Sequence, residues 1–374
     1  MGKRLIEQAR RIADTVMRDH PGIYGRKWAY DVGLLLIGME ALHRETGERS
    51  YHEYVKSFFD YFILPDGTIR NYDCQEKNID HINCGKNLFA LYEQTKEERF
   101  RIALGHLEEQ LLIQPRTESG NYWHKQIYPN QIWLDGLFMG QPFRAQYARV
   151  FGREDWYDDI LEQFVMAEAK TYEPRCGLYA HACDESRSAF WADPRTGRSL
   201  NVWGRACGWY SMALVDTLEY IPEEKEGIRS QLAALLDKLM DNVVKYQDES
   251  GSWYQVLDSR RSDNYREATC TCQFAYTLEK ATRLGYLEKE KYEPFLKKAV
   301  AAIENVFLKE HDGGLYMTQC CSVSGLGPES NTRRDGTLDY YFSEPIVEND
   351  CKALGPFFQM AAVYEEDDSA SYTA

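Results

Sequence analysis

The chain has 374 residues, 44% hydrophobic and 28% charged, which supplies a large core and excludes wholesale disorder. With 59 acidic against 44 basic residues the formal charge is −15, a balance that repels phosphate backbones and anionic lipid and argues against nucleic-acid or membrane partners. No run approaches the roughly 20 apolar residues that span a bilayer, and the charged start MGKRLIEQARRIADTVMRDH lacks the apolar centre of a secretion signal.

Read in chain order, charged amphipathic segments alternate with apolar ones. The amphipathic set is expected as helices at about 3–18, 49–63, 96–113, 153–169, 224–246 and 289–308, each with one apolar stripe and one charged face. The apolar set opens near Trp28, Asp80, Trp133, Trp203, Glu267 and Glu348. In segments such as GLLLIGMEAL (33–42) and CGWYSMALVDTL (207–218), small residues interrupt the apolar ones and permit close helix approach. A Gly turn followed by an aromatic residue recurs at Gly67, Gly120, Gly177, Gly251 and Gly313, in steps of 53, 57, 74 and 62 residues. Strand signals are confined to short stretches such as SWYQVLD and GLYMTQ.

Six inner and six outer helices in alternation predict an all-α (α/α)6 barrel, built as one domain over residues 1–374. The acidic tail from about residue 365 is expected to fray. The rival is an open α-solenoid; uneven repeat lengths and chemically rich loops favour the closed ring.

In such a ring the loops entering the inner helices meet at one end of the cavity, and the unusual residues fall there. Asp135 stands between Trp133 and Phe138 at a helix start, where desolvation raises a carboxyl pKa and suits a general acid; the plainer reading is a first-turn acid that complements the helix dipole. Pro142 is expected to kink or restart that helix. Asp80 precedes an apolar run and fits either a site carboxylate or an N-cap. His124 and Lys125 follow Tyr122 and Trp123 and can grip a carboxylate or hydroxyls, or be surface residues. Arg205 lies near Trp203 and Trp209, in a setting that fits a carboxylate clamp or a cation–π contact. Asp350 reads as a helix cap. The ten cysteines form no CxxC pair, which points to reduced thiols and gives no reason to expect a metal. GxGxxG after a strand, GxxxxGK[ST], HExxH and GxSxG are all missing, so hydride transfer, nucleotide hydrolysis and serine hydrolase chemistry lose support.

WLDGLFMGQPF (133–143), IDHINCGK (79–86), HK (124–125), LYAHACDES (178–186), VWGRACGW (202–209) and EPIVENDCKALGPFF (344–358) together resemble the unsaturated rhamnogalacturonyl hydrolases of glycoside hydrolase family 105. The resemblance spans about residues 25–360. The related unsaturated glucuronyl hydrolases of family 88 share the fold and chemistry.

The missing secretion signal and the reduced thiols point to a cytoplasmic protein, and no cofactor is expected. The resemblance implies an enzyme that acts on oligosaccharides left by polysaccharide lyases, which end in a uronic acid with a C4=C5 double bond. Hydration of that vinyl ether releases the sugar without attack at the anomeric carbon. It assigns general acid/base duty to Asp135 and a supporting acidic position to Asp80. His124, Lys125, His181, Trp203, Arg205 and Trp209 take substrate-contacting positions, with Trp133 and the more loosely aligned Tyr30 as aromatic walls. The expected partner is a small oligosaccharide, and the expected state a monomer or homodimer. Other readings are a family 88 glucuronyl hydrolase on another polysaccharide, a sugar epimerase or isomerase on the same fold, and a non-catalytic sugar-binding barrel.

Overall fold

The alternating segments form two concentric rings in the computed structural model, which describes residues 4–22 and 27–365. The helices are α1 (Arg4–Asp19), α2 (Tyr30–Thr46), α3 (Arg49–Phe62), α4 (Asp80–Cys84), α5 (Lys86–Thr95), α6 (Glu98–Ile113) and α7 (Leu134–Phe151). They continue with α8 (Trp156–Thr171), α9 (Gly204–Leu218), α10 (Glu226–Val243), α11 (Ala268–Arg283), α12 (Lys289–Ala302), α13 (Leu338–Ser343) and α14 (Cys351–Val363).

The inner ring closes on itself: α2 packs on α4, α4 on α7, α7 on α9, α9 on α11, α11 on α14, and α14 back on α2. This is the expected (α/α)6 barrel, and the closure rules out the solenoid. Inner helices are buried on nearly every side; in α9 all residues but Asp216 are buried. Outer helices bury one stripe, as Leu5, Ala9, Ile12, Ala13 and Val16 do on α1. Each large aliphatic residue in such a stripe contributes about 1.5–3 kcal/mol on burial.

Small residues let the staves touch. A Cβ added at Gly38 would lie 2.7 Å from the Gly355 carbonyl oxygen, and one at Gly355 would lie 2.6 Å from that of Leu34. The seam between the first and last inner helices is therefore backbone against backbone.

Several expectations need correction. Pro142 does not restart a helix, since α7 runs unbroken from Leu134 to Phe151. The second inner stave is instead broken at Gly85, between α4 and α5. Regular α-helix ends at Val243 and at Ala302, followed by a 3-10 turn (Val244–Tyr246) and a π turn (Ile303–Phe307). SWYQVLD forms only isolated bridges, Trp203 to Val256 and Tyr254 to Arg266. GLYMTQ does supply a strand, Gly314–Met317, paired with Leu308–His311. The acidic tail lies outside the described residues. No helix among the described residues is long and apolar enough to cross a membrane, and all ten cysteines are free thiols.

Candidate active site

The inner helices begin at one end of the ring, and the two carboxylates open two of them. Asp80 is the first residue of α4 and Asp135 the second of α7. The strand Gln131–Trp133 leads into α7 and pairs antiparallel with Ala182–Asp184. The Leu134 amide donates to the His181 carbonyl at 3.2 Å, and the Ile79 amide donates to the His124 carbonyl at 3.2 Å. These links tie the loops carrying His124 and His181 to the helix starts carrying Asp80 and Asp135.

Asp80 does not cap its helix. Its amide donates to Asn78 Oδ1 at 3.2 Å, and its carboxylate faces Lys125 Nζ at 2.6 Å and His124 Nε2 at 3.4 Å. Burial pushes this carboxyl up, but Lys125 and His124 outweigh burial and hold it below the usual Asp value. Burial pushes the His124 imidazole down to about 4, so it is neutral at physiological pH. Burial acts against the charge of Lys125, yet Asp80 holds its pKa above the ordinary value.

Asp135 is built differently. Its Oδ2 is buried without a hydrogen-bond partner, 3.3 Å from His181 Nε2, which is also unbonded; the two are close but poorly aligned. His181 is fully buried, and its Nδ1 lies 2.8 Å from the Tyr341 hydroxyl. Burial pushes the Tyr341 phenol well above its ordinary value, so this hydroxyl keeps its proton. The Tyr341 hydroxyl thereby fixes the His181 ring beside Asp135.

Aromatic rings wall the site. His124 lies flat on Trp133, with centroids 4.6 Å apart and planes 8° apart, and Tyr128 stacks on Trp133 at 4.8 Å. Trp133 Nε1 donates to Gln131 Oε1 at 3.0 Å. Trp209 stacks on Phe138 at 4.8 Å and meets Tyr30 edge-on at 6.2 Å. The close fit needs Gly136 in the first turn of α7, because a Cβ there would lie 3.0 Å from His124 Nδ1.

Arg205 takes the cation–π arrangement: its guanidinium sits 4.5 Å from the Trp203 ring centroid, and Nη1 donates to the Cys321 carbonyl. Asp350 is the expected cap, accepting from the Lys352 amide at 2.9 Å while its carboxylate holds Lys352 Nζ at 2.8 Å.

Four neighbours of these residues were not singled out by the sequence reading. Tyr341 positions His181. Gln255 accepts from Trp203 Nε1 at 3.1 Å and donates to the Tyr341 carbonyl at 3.3 Å. Glu267 caps α11 and also accepts from the Cys321 amide at 2.9 Å. Lys352, whose elevated pKa owes to Asp350 and Tyr30 against the effect of burial, adds a buried cation near Tyr30. Lys352 had a visible signal, a Lys in the first turn of an apolar inner helix. Tyr341 and Gln255 lie outside the long periodic segments, where pattern carries no directional information.

A cavity of about 270 Å³ lies elsewhere in the ring. Glu40, Arg44, Gln94, Asp216, Lys280 and Arg283 line it, from the far ends of the inner helices. The carboxylate end is instead closely packed: Leu326, from the irregular stretch before α13, packs with Trp133, Tyr128 and Trp191. We assign the candidate site by its chemistry rather than by cavity volume.

An all-α barrel with two carboxylates and two histidines among stacked aromatics has the architecture of a sugar-processing hydrolase. Residues 8–366 match Glycosyl Hydrolase Family 88. A solved glycoside hydrolase of family 105 from C. acetobutylicum ATCC 824 superimposes with a TM-score of 0.90 at 40% identity, covering 95% of this chain and 98% of that one. The unsaturated rhamnogalacturonyl hydrolase YesR of Bacillus subtilis (strain 168) is 27% identical over 292 residues, 76% of this chain and 77% of the relative. The unsaturated glucuronyl hydrolase of Bacillus sp. GL1 shares the fold, at a TM-score of 0.69 and 14% identity over 97% of this chain and 96% of that one. The chain belongs to the related glycoside hydrolase families 88 and 105.

Proposed function

We propose that this enzyme removes a terminal C4=C5-unsaturated uronic acid from lyase-generated rhamnogalacturonan oligosaccharides by hydrating the vinyl ether. The observation that carries this reading is the contrast between the two carboxylates. Asp80 is held ionised by Lys125 and His124 and is suited to accept hydrogen bonds from ring hydroxyls. Asp135 faces no Lys or Arg within ion-pairing distance among the described residues and has a buried oxygen free for a proton.

In the proposed reaction, the Asp135 carboxyl gives its proton to C4. Water adds at C5 as the resulting carboxylate takes a proton from it, which restores the acid. The C5 hemiketal then opens to a C5 ketone and a C1 hemiacetal, and the hemiacetal collapses to the C1 aldehyde as its C1–O bond to the rest of the oligosaccharide breaks and the departing oxygen takes the hemiacetal proton. One carboxyl group serves both steps, so no nucleophilic carboxylate of the retaining-glycosidase kind is required. Tyr341 and His181 hold the geometry at Asp135, while Trp133 and Trp209 offer faces for the sugar. The ten free thiols support a reducing, cytoplasmic setting.

The test follows the ultraviolet absorbance of an unsaturated rhamnogalacturonan disaccharide with purified protein. The conjugated double bond absorbs and its hydrated product does not, so the signal is expected to fall. A flat trace with this substrate and a falling one with an unsaturated glucuronyl disaccharide would move the specificity to the other polysaccharide class. Flat traces with both would overturn the reading.

A further inference from the structure

Away from the carboxylate end, the hairpin between α2 and α3 brings together three metal-binding side chains. Glu40 and His43 are one turn apart on α2, and so share a face. Gly47 ends that helix with φ +73°, a left-handed conformation glycine adopts without strain, and its amide returns to the His43 carbonyl at 2.8 Å. The tight reversal starts α3 at Arg49, which places His52 beside the first pair. Donor atoms of Glu40, His43 and His52 all lie within 4.8 Å of one another.

We propose that Glu40, His43 and His52 form a binding site for a first-row divalent ion of the Zn²⁺ type. Two imidazoles and one carboxylate are a borderline-soft donor set, which suits Zn²⁺ or Co²⁺ and not the all-oxygen preference of Ca²⁺ or Mg²⁺.

Two donors are already oriented from outside. His43 Nδ1 lies 2.9 Å from the Glu48 carbonyl oxygen; it donates there, leaving the Nε2 lone pair for a metal. Glu40 Oε1 accepts from Gln94 Nε2 at 3.0 Å, leaving Oε2 for the site. Glu40 is 6% exposed, and among the described residues its ion pair is with His52, through Nδ1 at 3.0 Å from Oε2. That pair is charged on both sides only when His52 is protonated, whereas a divalent ion balances the buried carboxylate with both imidazoles neutral.

Geometry allows the exchange. Zn–N and Zn–O bonds of about 2.0–2.1 Å put tetrahedral donors about 3.3 Å apart. The Glu40–His52 contact is already near that spacing, and the third donor closes by a small side-chain rotation. On metal binding the proton on His52 Nδ1, now shared with Glu40, moves to Nε2 of the same ring, which frees the Nδ1 lone pair for the ion. Glu40 and Gln94 also line the 270 Å³ cavity, which gives the ion a route in and room for a water as fourth ligand. The site would clamp an inner helix to its outer partner.

The experiment uses the whole protein, freed of metal by chelation and titrated with Co²⁺ and Zn²⁺. One equivalent of Co²⁺ is expected to bind saturably with a tetrahedral ligand-field absorption band, and Zn²⁺ is expected to displace it and raise Tm. In the His43→Gln, His52→Gln double variant the affinity should fall at least tenfold and the Tm rise disappear. Both positions are partly exposed, and circular dichroism checks that the variant folds. Hydrolase rates should be the same in both proteins. Equal Co²⁺ uptake by the double variant, the absence of saturable binding, or an equal response to Mg²⁺ would overturn the proposal. Should the double variant misfold, Glu40→Gln decides, with Co²⁺ affinity equal to the wild type counting against the site.

Discussion

Lys125 Nζ lies 2.6 Å from Asp80 Oδ2 in a pocket where the carboxylate is 8% exposed. An ion this buried stays charged only while its partner is present. In Lys125→Met, burial dominates and the Asp80 carboxyl moves up from its depressed position. The acidic limb of the kcat/KM profile should shift to higher pH, and KM should rise. An unchanged pH profile in this variant would show that Asp80 does not depend on Lys125.

Asp135→Asn removes the proposed proton donor and changes little else, since Asp135 Oδ2 makes no hydrogen bond that the amide would break. Turnover should drop by about 10²–10⁴-fold, the range for a lost general acid or base, with an unaltered circular dichroism spectrum. Near wild-type rates in the absorbance assay would remove Asp135 from its role.

Tyr341→Phe deletes the oxygen 2.8 Å from His181 Nδ1 and keeps the ring. A buried imidazole nitrogen left unpaired costs about 1–3 kcal/mol. In the proposed mechanism His181 sets the geometry of Asp135, so kcat should fall about tenfold or more while KM changes little. A variant that altered KM alone would place Tyr341 in substrate binding instead.

His124 makes stability depend on pH. Its folded pKa of about 4 lies below the unfolded value of about 6.5, so between those values the unfolded chain binds more protons. Stability therefore falls as pH drops from about 6.5 to 4 and is fully reduced below that. Asp80, also depressed, extends the loss in the same direction to lower pH. Urea melts across this range should show the slope in the wild type and a flatter one in His124→Gln. Equal slopes would mean that His124 does not titrate as described.

Gly38→Ala tests the seam. The new methyl meets the Gly355 carbonyl oxygen at 2.7 Å, too close for any Cβ. Overpacking of this kind costs about 1–3 kcal/mol, and the urea midpoint should fall accordingly. A midpoint at the wild-type value would show that the two helices can part without penalty.

The ring was legible because each stave repeats one contrast, apolar inner segment against charged outer segment, and that contrast survives in a single sequence. GLLLIGMEAL already showed why α2 could press so closely on α14. Asp80 was ambiguous, since a cap and a site carboxylate occupy the same sequence position; only the contact with Lys125, 45 residues on, separates them. Pro142 misled because a proline after the first turn usually breaks a helix, while this one is carried through a buried stave. Tyr341, 160 residues from His181, could not be read from local pattern at all. Glu40, His43 and His52 escaped notice because two ordinary helices and a Gly turn, not a spacing motif, bring them together.

The backbone contact of Gly38 with Gly355 makes α14 the keystone of an arch. Without α14 the ring has five staves and an open wall, and α2 loses the cover that Gly355 gives it. The thirteen residues of α14 close the ring and hold Lys352 near Tyr30. A break in α14 would therefore open the ring between α11 and α2 rather than trim an edge.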